Sequence, residues 1–281
     1  MISGFFYARH SLSPLNVFLS ANRHYSQPGF CTGTVMQLTS KLNQPETSST
    51  IRIKALYPLS RRFYAIHAVL LTFFGLLFLW LARDGSLDNA LTGYWFDPLT
   101  QSFPWKDNRW LDLINHRLLK DLIIAAGVTL LVAGVLRRQP RWILVALLTG
   151  VGALAVGILK AASAHSCPWD LAAYGGRAFS YPLLGAAPAE SGPGRCFPGG
   201  HASSGFSLMA LFFLYWPTRP KMAWLCWGGA VALGLIMGYG QMMRGAHFLS
   251  HNLWAGWWVW LVQLLTYWCV TRLTEKMRIK Q

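Results

Sequence analysis

"GRCFPGGHASSGF" spans Gly194 to Phe206 and opens an apolar run. A helix that only crosses lipid has no use for Pro198, Gly199 and Gly200 at its mouth, or for His201 just behind them. The stretch predicts a helix that begins near His201, with small Ala202, Ser203 and Ser204 following. The first N–H groups of such a helix lack intrahelical partners and its dipole end is positive, so the terminus suits an anion.

The surrounding chain says what kind of protein holds this terminus. Of 281 residues, 53% are hydrophobic, 12% are charged and fourteen are Trp. That balance, with a positive mean hydropathy, belongs to a membrane protein. A net charge of +15 would also suit a nucleic-acid binder. Here, though, Lys and Arg gather between apolar runs, which is the pattern of membrane topology. Five cysteines without a repeated CxxC pair make neither a zinc ribbon nor a disulfide-rich scaffold.

Six apolar runs approach the length needed to cross a bilayer of ~30 Å. They lie near 63–82, 121–136, 142–159, 203–216, 222–239 and 252–271. The second and fourth are short and need their flanks. Basic clusters alternate with the spans: Arg52, Lys54, Arg61 and Arg62; Arg137, Arg138 and Arg141; Arg219 and Lys221; Arg272, Lys276, Arg278 and Lys280. The positive-inside rule places them all in the cytoplasm, with both termini. The expected fold is all-α, a polytopic membrane domain of six transmembrane helices over 59–281. Residues 1–58 read as a disordered or poorly ordered tail without a clean signal peptide, and Met36 offers an alternative start.

Segments 83–120, 160–202 and 240–251 then share the extracytoplasmic face. The first carries "NRWLDLINHRLLKDL", which reads as an amphipathic helix at the interface. The second is a long loop rich in Gly, Pro and aromatics, of the kind that serves function. Reactive residues gather on this face: Lys160 at the end of the third span, His201 at the start of the fourth, and Arg244, His247 and His251 in "RGAHFLSH". Cations beside a Gly-rich helix start bind phosphate. Two histidines can serve as nucleophile and general acid for phosphoryl transfer.

At these residues the chain resembles the type 2 phosphatidic acid phosphatase superfamily of membrane lipid phosphatases, as a divergent member. That family carries Lys, six residues, Arg-Pro; then Pro-Ser-Gly-His; then Ser-Arg, five residues, His, three residues, Asp. Lys160 and Pro168 match the first motif, with Cys167 in the place of Arg. Pro198, Gly199, Gly200 and His201 match the second, with Gly for Ser. His247 matches the third-motif His, His251 takes the Asp position, and Gly240 and Gln241 take the Ser-Arg positions. The resemblance covers about 120–271. It implies that His247 attacks phosphorus to form a phosphohistidine, that His201 protonates the leaving oxygen, and that no metal or other cofactor takes part. His251 would hold the His247 ring without supplying a negative charge, and Asp170 is the nearest candidate carboxylate. Lys160 and Arg244, with backbone N–H groups at Gly199 and Gly200, would hold the phosphate.

Cys167 and Cys196 lie at the two ends of the outer loop, where an oxidising periplasm would join them as a disulfide. Plainer readings stand beside these. Lys160 alone is a snorkelling boundary residue. His247 and His251, with Cys167, Cys196 and His201, have the residue types of a zinc site. Weighed together, the residues predict a lipid phosphatase of the bacterial inner membrane with a periplasm-facing site. Its partners are membrane lipids: undecaprenyl diphosphate, phosphatidylglycerol phosphate, phosphatidic acid or the phosphates of lipid A. A lipid-to-lipid phosphotransferase and a non-catalytic lipid carrier are the alternatives.

Overall fold

The computed structural model describes residues 56–279, all within one compact unit, Ile51–Gln281. The tail expected over 1–58 lies almost wholly outside the described residues. Among the described residues the structure is helical, with only two isolated bridges, Asp97 to Ser102 and Leu171 to Ala178.

Helix α1 is Arg61–Leu81, started by Ser60, whose Oγ accepts the Phe63 N–H at 3.1 Å. A short α2 follows, Ser86–Gly93. A π-helical turn, Leu111–Leu118, runs directly into α3, Leu119–Leu136. Helices α4, Pro140–Ala162, and α7, Pro220–Met243, each open on a proline, which suits a first turn because the missing N–H has no partner there. Between them lie α5, Gly200–Ser207, and α6, Leu211–Tyr215, joined by a 3-10 turn over Leu208–Ala210. Helix α8, Leu249–Ile279, closes the bundle.

Among the described residues, five helices are long and apolar enough to cross a bilayer: Arg61–Leu81, Leu111–Leu136, Pro140–Ala162, Pro220–Met243 and Leu249–Met277. Val69, Phe73, Leu76 and Trp80 of α1 are exposed, as side chains facing hydrocarbon would be. Two expectations change here. The segment expected to lie at the interface instead continues α3 without a break, which supplies the length that 121–136 lacked. The fourth expected span is the broken piece Gly200–Tyr215, which at about 1.5 Å per residue reaches only about 24 Å.

That short piece is the centre of the bundle. Ala202, Phe206, Met209, Ala210, Phe212 and Phe213 are all buried, packed among α4, α7 and α8. A helix walled by protein need not match the lipid thickness. Its backbone must still be satisfied where the ladder breaks. The Ser207 carbonyl accepts the Gln263 Nε2–H of α8 at 2.7 Å, inside the core. Close packing is also built in: a Cβ on Gly205 would stand 2.6 Å from the backbone nitrogen of Gly234, so α5 and α7 cross backbone to backbone.

The loop between α4 and α5 is folded. It holds two 3-10 turns, Pro168–Asp170 and Ala172–Tyr174, and shares a small core of Leu171, Tyr174 and Ala178 with Phe103 and Phe248.

Candidate active site

Three helix ends meet under that loop. The last turn of α4 carries Lys160, α5 opens at Gly200, and α8 opens at Leu249. The starts of α5 and α8 are tied directly: Gly199 donates its N–H to the His251 carbonyl at 2.8 Å. A Cβ at Gly199 would meet Asn252 Oδ1 at 2.6 Å, so a larger residue there would have to displace that side chain. A Cβ built on Gly200 would lie 3.6 Å from Lys160 Nζ, so the ammonium sits against the first residue of α5. An ammonium beside the positive end of a helix is a repulsive arrangement that an anion between them relieves.

The imidazoles line the same place. The His201 and His247 ring centroids are 6.4 Å apart, and those of His247 and His251 are 5.8 Å apart. His247 and His251 are buried, while His201 and Lys160 keep partial access to solvent. His247 lies in the turn between α7 and α8, and its pKa falls well below the ordinary imidazole value. Burial is the first cause, then the nearby His251, Lys160 and His201. His247 is therefore neutral and carries a free lone pair at neutral pH.

What holds His247 is different from expectation. The backbone of Cys196 hydrogen-bonds the rings of both His247 and His251. Cys196 Sγ is also 3.4 Å from His247 Nδ1. A carbonyl that takes one ring N–H leaves the other nitrogen bare, which is the tautomeric control a nucleophile needs. Asp170, the candidate carboxylate, is not among the groups that shift His247, and its backbone carbonyl accepts from Arg177 and Ala178. Cys196 is bonded to Cys167, with sulfurs 1.99 Å apart and Cα atoms 5.2 Å apart. Cys196, His247 and His251 place one ligand atom each within 4.8 Å of one another. With its sulfur in a disulfide, Cys196 has no thiolate to offer a metal.

Arg244 is placed apart from the imidazoles in its bonding. Its Nε donates to the Lys106 carbonyl at 3.0 Å and its Nη1 lies 3.5 Å from Asp112 Oδ1. Gln241, at the position where the resemblance expects Arg, is buried and donates to Asn115 Oδ1 at 3.0 Å. A neutral amide pair fills that place, so the site has fewer cations than the motif would bring.

Two participants were not foreseen. The Cys196 carbonyl is backbone, and no side-chain pattern announces it. Asp88 of α2 accepts from the Ser250 N–H at 2.9 Å and from the Ser250 hydroxyl, fixing the start of α8 between the two buried histidines. Its position, 162 residues away, gave no local signal.

The PAP2 superfamily model matches residues 140–275, which hold Lys160, His201, His247 and His251. No curated protein matches the chain significantly. Among solved structures, the chain is similar to the crystal structure of the first transmembrane PAP2 type phosphatidylglycerolphosphate phosphatase from Bacillus subtilis. Identity is 18% and the TM-score 0.44, over 75% of this chain and 96% of that one.

Proposed function

We propose, because residues 140–275 match the PAP2 superfamily model, that the protein is an integral membrane lipid phosphatase working through a phosphohistidine on His247. One observation carries this reading: Lys160, the open start of α5 and the rings of His201 and His247 converge in one place. The phosphate oxygens take the Lys160 ammonium and the first N–H groups of α5. His247, neutral and oriented through Cys196, attacks phosphorus. His201 gives a proton to the leaving oxygen, of an alcohol from a monophosphate or of a lipid phosphate from a diphosphate, then removes one from the water that hydrolyses the phosphohistidine. His251 supports the turn without supplying charge. Arg244, already answered by Asp112, adds positive field from the edge. The Cys167–Cys196 disulfide holds the orienting carbonyl in place.

The site faces the periplasm in this reading, with the termini inside a bacterial inner membrane. Substrates are lipid mono- or diphosphates of the undecaprenyl, phosphatidylglycerol phosphate, phosphatidic acid or lipid A type. Phosphate release by purified protein in detergent, with EDTA present, tests the proposal beside His247→Ala. Release that survives EDTA and disappears with His247 supports it. Release abolished by EDTA refutes the metal-free route. Phosphate passed to an acceptor lipid rather than to water identifies the phosphotransferase instead.

A further inference from the structure

A cavity of about 210 Å³ opens on the outer face beside the imidazole cluster. Asp84, Asp88, His165, Tyr181, Ser250 and His251 form its working wall. No Lys or Arg is among its described lining residues, although the chain as a whole carries +15. Its chemistry is thus opposite to that of the Lys160 side, where cation and amide donors meet an anion.

The bonding within the wall sharpens the contrast. His165 Nε2 lies 3.2 Å from the Leu183 carbonyl, which only accepts, so this nitrogen carries the proton and Nδ1 is an acceptor. The His165 ring stacks on Tyr181 with centroids 4.2 Å apart. His251 is 5% exposed and its buried Nδ1 has no hydrogen-bond partner. The His251 Nδ1 is enclosed by protein, so its ring closes the inner end of the cavity, and the acceptors facing a ligand are the Asp84 carboxylate and His165 Nδ1. Carboxylates and imidazole lone pairs repel phosphate oxygens and welcome hydroxyl or ammonium groups.

His251 belongs to both places, with its ring 5.8 Å from that of His247. A group bound in the cavity is therefore one imidazole away from the reacting phosphorus. We infer that this cavity is a second subsite of the same active site, resting on the phosphatase reading above. It receives a hydroxyl- or amino-bearing segment that lies between the phosphate and the hydrocarbon chains of the substrate. A lipid whose phosphate joins diacylglycerol directly has no such segment and leaves the cavity to water.

The test compares phosphate release from phosphatidylglycerol phosphate, with a hydroxyl in that segment, sphinganine 1-phosphate, with an amine and a hydroxyl there, and phosphatidic acid, with neither. Wild type, Tyr181→Ala and Asp84→Asn are measured, all positions outside the proposed chemistry. Wild type should favour one or both segment-bearing lipids over phosphatidic acid by about tenfold in kcat/KM, the scale of one hydrogen bond. Both variants should erase that preference through KM and leave phosphatidic acid unchanged. The two polar lipids tell hydroxyl from amine recognition. No preference in wild type, or equal losses on every lipid, overturns the subsite. Should wild type release no phosphate at all, the phosphatase reading fails, and binding of the same lipids followed by tryptophan fluorescence decides the cavity. Tighter binding of a segment-bearing lipid that is lost in Tyr181→Ala then upholds it, and equal binding refutes it.

Discussion

Asp88 and Ser250 are joined across 162 positions, with the Ser250 N–H donating to the Asp88 carboxylate at 2.9 Å. Helix α8 begins at Leu249, so Asp88 supplies from α2 the capping acceptor that the sequence at the helix start does not. The tie sits between His247 and His251. Asp88→Ala should therefore lower stability by about 1–2 kcal/mol, as loss of a cap does. It should also lower kcat by loosening the turn that carries His247. Asp88→Asn keeps an acceptor and should do less of both. Thermal melting in detergent and steady-state kinetics check the pair; an Asp88→Ala protein as stable and active as wild type would refute the capping role.

His247 gives stability a pH dependence of known sign. Its folded pKa lies well below 6.5, first because of burial, whereas an unfolded imidazole titrates near 6.5. Its contribution is fully present above that value and is lost as pH falls from there towards the folded pKa. His165, in the loop between α4 and α5, is lowered in the same direction, again mainly by burial. The melting temperature should fall between pH 7 and pH 5, and His247→Asn should flatten the fall. A melting curve equally steep in the variant would assign the loss to other groups.

The Cys167–Cys196 bond closes a sequence separation of 29 residues. On the chain-entropy model such a closure contributes about 3–4 kcal/mol. Because Cys196 also bonds both buried imidazoles, the bond carries catalytic consequences beyond stability. Cys167→Ser should lower the melting temperature and reduce kcat with little change in KM, since phosphate binding at Lys160 and α5 is untouched. Mass spectrometry of alkylated protein verifies the bond first: two free thiols in protein from an oxidising compartment would contradict it.

Much of this arrangement was legible in the chain. Apolar length marked the helices, and the spacing of Lys160, His201 and His247 marked the residues that three helix ends bring together. Two kinds of feature escaped. The break inside Gly200–Tyr215 escaped because hydrophobicity does not show where a helix walled by protein is interrupted. The partners of the histidines escaped because one is the carbonyl of Cys196 and the other, Asp88, arrives from a distant helix. Arg244 shows the converse. It was expected to hold the phosphate, yet Asp112 and the Lys106 carbonyl hold its guanidinium.

Lys160 and Arg244 should consequently differ when removed. The Lys160 ammonium stands against the first residue of α5, where the structure offers an anion its N–H groups. Removing one such preorganised donor costs about 100-fold or more in kcat. Lys160→Ala should show a loss of that order. Arg244 is already paired with Asp112, and Asp112 keeps a second partner in Arg117, whose Nε lies 2.8 Å away. Arg244→Ala therefore leaves no stranded charge and should cost about tenfold or less in kcat/KM, the scale of a single modest interaction. Single-turnover phosphate release from the same lipid measures both. Equal losses would mean that Arg244 leaves Asp112 when substrate binds and contacts the phosphate itself, and a larger loss at Arg244 would remove Lys160 from the centre of the site.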